Sequence, residues 1–339
     1  MALGEFDLIH RFFIRPNRAA PGAVALGIGD DCALLQPSPG QQWAISSDML
    51  VEGRHFLPTV LPCRLGHKAL AVNLSDLAAC GARPVAFTLA LALPRADPVF
   101  LAGFADGLFA LADAHAITLV GGDTTAGPLN ICITVFGDVP PGQALRRSGG
   151  QAGDALWVSH PPGGGLGDAR LALECFRGNL DLAGDDFARV RLAMEMPQPR
   201  VALGLALRGL ATAAIDLSDG LLGDLGHLLR RSGAGAVLGA GLGAGLGAVV
   251  EVDTLPRSAV LARQPLALQH TCTLAGGDDY ELLFSAPAAA QAQVLAAAAG
   301  AGVAVCRIGH LTAAPGLRLQ DRSGAAVPFD GRGFDHFAA

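Results

Sequence analysis

Two adjacent carboxylates behind a glycine pair, Gly27-Ile28-Gly29-Asp30-Asp31, constrain this chain more than any other stretch. Glycine admits positive φ and lets the backbone approach a ligand closely. Neighbouring aspartates repel each other and resist burial unless a cation offsets them. A divalent metal held by oxygen ligands is the most direct offset, although a solvated turn after a strand uses the same residue types. Similar clusters recur at four more places: Asn73-Leu74-Ser75-Asp76, Gly121-Gly122-Asp123-Thr124-Thr125, Asp216-Leu217-Ser218-Asp219-Gly220 and Gly276-Gly277-Asp278-Asp279. Short apolar runs precede most of them, so the expected arrangement brings carboxylates to the ends of strands.

The pattern along the chain alternates strands with helices. Helices are expected over 5–13, 64–80, 98–115, 168–176, 198–210, 221–231 and 288–299. Strands are expected over 23–26, 43–46, 85–93, 117–120, 129–139, 155–159, 213–215 and 282–285, with a Gly/Pro-rich tail after 300. The strand at Trp43 ends at Ser47-Asp48, and the strand at Ile117 ends in Gly121-Gly122-Asp123. Within the 64–80 helix, Asn73, Asp76 and Cys80 form one polar line on an otherwise apolar surface, so Asp76 faces a site rather than bulk water. A chain of 339 residues holds about two domains. The Pro/Gly/Arg-rich stretch 140–153 marks the boundary, giving 1–148 and 149–339. Leu-Ser-Asp and Gly-Gly-Asp each occur once in both halves; an internal duplication and chance in a glycine-rich chain account for this equally well.

Composition removes several function classes. With 51% hydrophobic residues, 45 glycines and 16% charged residues, the chain is globular rather than disordered. A net charge of −6 carries no basic stripe for nucleic acid. An acidic protein that handles anions needs metal ions between itself and them. Seven scattered cysteines without a C-x-x-C pair read as thiols in a reducing cytoplasm. The N-terminus lacks the basic start and apolar core of a signal peptide. Gly233 to Val250 is uncharged but rich in Gly and Ala, too weakly hydrophobic for a membrane span, and reads as a linking segment.

No phosphate-loop, Rossmann, zinc-protease or nucleophile-elbow motif is present. What remains is a set of aspartates beside Ser, Thr or Gly: Asp30, Asp31, Asp48, Asp76, Asp123, Asp216, Asp219 and Asp278. Hard oxygen ligands suit Mg²⁺, which shares phosphate oxygens with its substrate. The simplest matching chemistry is metal-assisted phosphoryl transfer, although any single Asp serves equally well as a helix cap or turn residue.

Five stretches together are specific: Gly27-Ile28-Gly29-Asp30-Asp31-Cys32-Ala33, Ala71-Val72-Asn73-Leu74-Ser75-Asp76-Leu77-Ala78-Ala79, Gly121-Gly122-Asp123-Thr124-Thr125, Ile215-Asp216-Leu217-Ser218-Asp219-Gly220 and Gly277-Asp278-Asp279-Tyr280-Glu281-Leu282. In this order the sequence resembles the thiamine-monophosphate kinase family, within the superfamily that also holds aminoimidazole ribonucleotide synthetase and selenophosphate synthetase. The resemblance implies a mixed α/β fold of two domains. The N-terminal sheet domain binds ATP and metal and joins its counterpart in a homodimer. The C-terminal domain, an α/β sandwich, completes the active site.

The resemblance also implies direct transfer of the γ-phosphoryl group of ATP onto thiamine monophosphate, with several Mg²⁺ ions. Asp30, Asp31, Ser46, Ser47, Asp48, Asp76, Asp123, Asp216 and Asp219 match metal-ligand positions. Gly122, Asp123, Arg147 and Ser218 match ATP-contact positions, and His55 and Asp278 match substrate contacts. Two departures stand out. The last acidic motif reads Gly-Gly-Asp-Asp where relatives carry Gly-Gly-Glu-Asp. The position where an aromatic residue meets the thiamine rings is Gly331, which leaves Phe334 or Phe329 as candidates for that contact. No catalytic base is expected, because the acceptor is a phosphate oxygen that is mostly ionised at pH 7. The alternatives are another ATP-dependent synthetase of the superfamily, a metal-dependent phosphatase, or a silent nucleotide-binding protein.

Overall fold

The computed structural model describes residues 5–15, 23–29, 31–233 and 245–331. The chain divides into two compact units, Met1–Leu77 with Ala82–Gly142, and Gln143–Ala339 with Ala78–Gly81. The mixed helix-and-sheet class expected from the alternating pattern is what the fold contains.

The first unit runs α1 (Glu5–Phe12), β1 (Val24–Leu26), β2 (Leu34–Leu35), β3 (Gln42–Val51), α2 (Pro62–Ala79), β4 (Arg83–Leu93), α3 (Pro98–Ala114), β5 (Thr118–Ala126) and β6 (Asn130–Val139). Its four-stranded sheet has the order β3-β6-β4-β5, with only β4 and β5 parallel. Ile131, Ile133 and Val135 of β6 and Phe87, Leu89 and Leu91 of β4 are buried on one face. Asp97 caps α3, accepting from the Val99 amide at 3.0 Å and the Phe100 amide at 3.3 Å, and Pro98 supplies the first helical φ.

α2 and α3 cross at two glycines. A Cβ on Gly66 would lie 2.0 Å from the Phe104 carbonyl oxygen, and one on Gly107 would lie 1.7 Å from the Cys63 carbonyl oxygen. The helices meet backbone to backbone, and α2 is held at a set depth.

The second unit runs β7 (Ala155–His160), α4 (Asp168–Phe176), α5 (Gly184–Glu195), α6 (Val201–Ala206), β8 (Ala213–Asp216), α7 (Leu221–Gly233), β9 (Gly247–Glu251), α8 (Ala259–Ala262), α9 (Leu266–Ala275), β10 (Leu282–Ala286), α10 (Gln291–Gly300), β11 (Ala304–Thr312) and β12 (Gly316–Gln320). Its six strands lie in the order β12-β9-β11-β7-β10-β8. Leu156, Val158, Ile215 and Leu283 from the sheet pack with Leu221, Leu225 and Leu228 of α7.

Several expectations change. Ser47, Asp48 and Gly121 through Thr125 lie inside strands rather than after them, because the ladder to β6 runs on to Val51 and that to β4 runs on to Ala126. The tail after 300 forms two strands, and the helices α5 and α9 lie in stretches for which no element is expected. The helix expected over 198–210 shortens to α6, since Pro197 and Pro199 keep the chain extended before it. The linking segment 233–248 ends in β9, and its residues 234–244 lie outside the described set. Among the described residues, no helix is long and apolar enough to cross a membrane.

Candidate active site

In the first unit the site residues sit where β3 lies against α2. Side chains alternate along a strand, so Ser46 and Asp48 face one way and Ile45, Ser47 and Met49 the other. On the helix side, the Ser46 hydroxyl donates to the Asp76 carboxylate. The Asn73 carboxamide oxygen accepts the Asp48 amide at 3.0 Å, while its nitrogen donates to the Ala69 carbonyl at 3.0 Å. The polar line on α2 therefore locks onto β3, bringing Ser46, Asp48 and Asp76 together.

Beside them, the buried Lys68 ammonium donates to the His55 carbonyl at 3.2 Å. The His55 Nδ1 accepts the Val51 amide at 3.0 Å, so in the neutral ring the proton sits on Nε2. Lys68 is the residue here that the sequence reading missed. Its signal was a lysine on an otherwise apolar helix face.

Ser47 faces away, its hydroxyl 2.9 Å from that of Thr134 on β6. This second sheet face is open at one end, where Ile45 is 60% and Met49 53% exposed. The ladder register aligns Met49, Cys132, Ala90 and Asp123 across it. Asp123 therefore lies on the face opposite Asp48, at the far edge of the sheet. Gly122 precedes it at φ 149°, and a Cβ there would lie 1.8 Å from the Leu89 carbonyl oxygen. Asp31 is exposed, and Asp30 lies outside the described residues. Among the described residues, no three His, Cys, Asp or Glu side chains converge on one point.

In the second unit, β8 ends at the buried Asp216, and the chain turns through Ser218 and Asp219 into α7. Three 2.8 Å hydrogen bonds lace this turn to the Gly276–Glu281 segment: Leu217 amide to Glu281 carbonyl, Tyr280 amide to Leu217 carbonyl, and Asp278 amide to Ser218 carbonyl. Asp278 at φ 63° and Tyr280 at φ 51° are left-handed, a conformation that costs a non-glycine residue about 1–2 kcal/mol. Aspartate tolerates it better than a longer side chain does, a local reason for the Asp-for-Glu departure at 278.

Arg147 joins this group because the Arg146 carbonyl accepts the Ala214 amide at 2.8 Å, running the segment along the outer edge of β8. Arg147 is exposed, and its charge reaches both Asp224 and His227. Burial, reinforced by the Asp219 charge, pushes the Asp224 carboxyl up to about 7. Its Oδ2 accepts the Asp219 amide at 3.1 Å. Burial also raises Asp279 well above the carboxylate range, although it accepts the Gly167 amide at 2.8 Å. Asp224 and Asp279 were not among the expected site residues; Asp224 carried no signal beyond a place in the first turn of α7. Phe329 packs on the core of this unit, and its ring occupies the space that a side chain at Gly331 would need, the nearest ring carbon being 2.4 Å from a Cβ there. Phe334 lies outside the described residues.

Comparison with known proteins decides the family. The model of the AIR synthase related protein N-terminal domain matches residues 29–139, and that of its C-terminal domain matches 151–322. Thiamine-monophosphate kinase of Salmonella typhimurium (strain LT2) is 44% identical over 343 residues, spanning 100% of this chain and 99% of that protein. The chain belongs to the thiamine-monophosphate kinase family. The crystal structure of thiamine-monophosphate kinase from Stenotrophomonas maltophilia K279a matches with a TM-score of 0.83 and 43% identity, covering 96% of this chain and 99% of that one. AaThiL complexed with AMPPCP and TMP matches with a TM-score of 0.73 and 25% identity, covering 91% of this chain and 92% of that one. Three of the five motifs that carry the resemblance make these contacts: residues 71–79 lock α2 to β3, and residues 215–220 and 277–282 lace the turn after β8 to its neighbour.

Proposed function

We propose that this chain is an ATP-dependent kinase that phosphorylates thiamine monophosphate to thiamine diphosphate. The observation that carries the reading is full-length 44% identity to a thiamine-monophosphate kinase, joined by the likeness to AaThiL complexed with AMPPCP, an ATP analogue, and TMP. The reaction is a phosphotransfer with a phosphate group as acceptor, the last step in making the diphosphate.

The chemistry of the donor set supports Mg²⁺. Asp48 and Asp76, with Ser46, offer hard oxygens in the first unit, and Asp216 and Asp219 do so in the second. We assign Asp30, Asp31 and Ser47 to the same role on the resemblance alone. When bound, the ions neutralise charge that would otherwise repel two anionic substrates. The protein's own groups do the rest. Arg147 brings positive charge to the ATP phosphates, and we assign the Gly122 and Ser218 backbones to ATP contact on the resemblance alone. The His55 Nε2–H donates to the phosphate of the acceptor, held in that tautomer by the Val51 amide. Asp278 meets the substrate, and the Phe329 ring takes the aromatic contact that Gly331 cannot make. An acceptor phosphate with a second pKa near about 6 is already ionised at pH 7, so no general base is required.

We further propose a homodimer formed through the open face of the first unit's sheet. The support is an exposed apolar pair, Ile45 and Met49, in the middle of a paired strand. A second copy there also gives Asp123 and Gly122 a role, in the site of the partner copy. Seven free thiols and a dependence on ATP favour a cytoplasmic location.

An ADP-release assay tests the function. ADP formed only when thiamine monophosphate is present supports the kinase. Equal release without the acceptor would make it an ATPase or phosphatase, and no release at all would leave only nucleotide binding.

A further inference from the structure

A buried ion pair sits immediately behind the loop that carries Asp278. Arg200, just before α6, is about nine-tenths buried, and so is Glu281. The Arg200 Nε donates to the Glu281 Oε2 at 2.7 Å, and its Nη2 donates to the other carboxylate oxygen. The Ser159 hydroxyl on β7 donates to the same Oε2 and accepts the Leu282 amide at 2.8 Å. Four pieces of chain are therefore tied at one point: β7, the entry to α6, the start of β10 and the left-handed segment before it. Glu281 is also the residue whose carbonyl accepts the Leu217 amide, one step from Asp216.

Stability alone is a poor reason for such a pair. Two charges taken out of water are often replaced by apolar residues at no cost, whereas leaving one charge unpaired is expensive. What a bidentate fork supplies is geometry, because it fixes the carboxylate in plane and direction. Here the fixed group adjoins two left-handed non-glycine residues, Asp278 and Tyr280, which need their surroundings to hold them.

We infer that Arg200 and Glu281 act as a positioning pair, holding the 278–281 segment, and through it the Asp216–Asp219 turn, in the geometry that receives thiamine monophosphate. Neither residue touches substrate. The mention of substrate rests on the proposed function; the positioning itself does not.

The test replaces the pair by an apolar one. Arg200→Met alone leaves Glu281 buried without its partner, and should lower both Tm and activity. Arg200→Met with Glu281→Leu should bring Tm back to within about 2 °C of the parent enzyme. If the pair positions, the KM for thiamine monophosphate stays at least about tenfold high in the double variant, while the KM for ATP moves less than about twofold. Amide hydrogen exchange at Leu217, Asp278 and Tyr280 should quicken about tenfold or more in that variant, with β7 and α7 unchanged. Recovery of Tm, KM and exchange together would overturn the inference, making the pair structural only. Should the double variant fail to fold, Arg200→Lys decides. It keeps the charge and loses the fork, so a folded lysine enzyme with parental KM and exchange would equally overturn it. Calorimetry of thiamine monophosphate with the parent protein separates the two readings. Absence of binding there would reject the substrate, while the exchange rates still judge the pair.

Discussion

Asp48 and Asp123 are expected to serve one reaction from two different chains, and mixing variants will show it. They lie on opposite edges of a four-stranded sheet, three strand spacings apart, which is about 14 Å. Their side chains also leave opposite faces. A carboxylate oxygen reaches about 3.5 Å from its Cα, and Mg²⁺ binds oxygen at about 2.1 Å. Two aspartates sharing one ion therefore need Cα atoms within about 11 Å, even when aimed at each other. Asp48→Asn and Asp123→Asn should each abolish turnover as pure homodimers while leaving thermal unfolding unchanged. In a heterodimer of the two variants, one site carries both lesions and the other carries neither. Random reassociation makes about half of all dimers mixed, so activity should return to about a quarter of the parent value. The assay is ADP release after mild denaturation and joint refolding of equal amounts, with each variant refolded alone as the control. Continued inactivity of the mixture, with dimers demonstrated by light scattering, would refute the assignment. So would near-normal activity of either pure variant at saturating Mg²⁺.

Gly122→Ala should cost about 3 kcal/mol or more, because its Cβ would press on the Leu89 carbonyl and β5 would have to part from β4; urea unfolding measures this. Asp168, whose carboxyl burial pushes up to about 6 while it accepts from Ser258 at 2.6 Å, makes stability fall as pH rises. The folded state holds the extra proton, so the contribution is full below pH about 4 and is lost by pH about 6, amounting to about 3 kcal/mol. Asp168→Asn keeps the acceptor for Ser258 and should flatten the stability curve across that window, as read by unfolding at pH 4 and pH 7. Phe329→Ala should raise the KM for thiamine monophosphate between about 2-fold and 30-fold, the equivalent of losing one aromatic contact to a cationic ring, with the KM for ATP unchanged.

The sequence made most elements legible because apolar periodicity reports burial directly. It placed α2, α3, β4, β6 and α4 within a residue or two. Glycine misled it elsewhere. Gly121 and Gly122 read as a turn after a strand, yet they are strand residues that let β5 pass tightly over the Leu89 peptide. The final two strands were hidden by Gly309 and Gly316 within them and Pro315 between them. Membership of the site was clear from Asp beside Ser or Gly, but the face was not. Assigning Asp123 to the opposite face needs the register of three ladders and a bulge near Phe87, none of which is local information. Arg200 was invisible for a similar reason, since it acts on a segment distant in sequence.

The glycine crossing of α2 and α3 gives the enzyme a lever. Gly66 is the fulcrum, and Asp76 lies ten residues further along the same rigid helix, about 15 Å away. A tilt of roughly 4° at the crossing would carry the Asp76 carboxylate about 1 Å from Ser46. A displacement of that size at a reacting centre can cost about a hundredfold in rate. Substitutions on α3, a helix with no proposed ligand, are therefore expected to shift Asp76, a metal ligand in the proposed reading. A screen for altered metal dependence would find them around Gly107 and Phe104, on a helix that carries no proposed metal ligand.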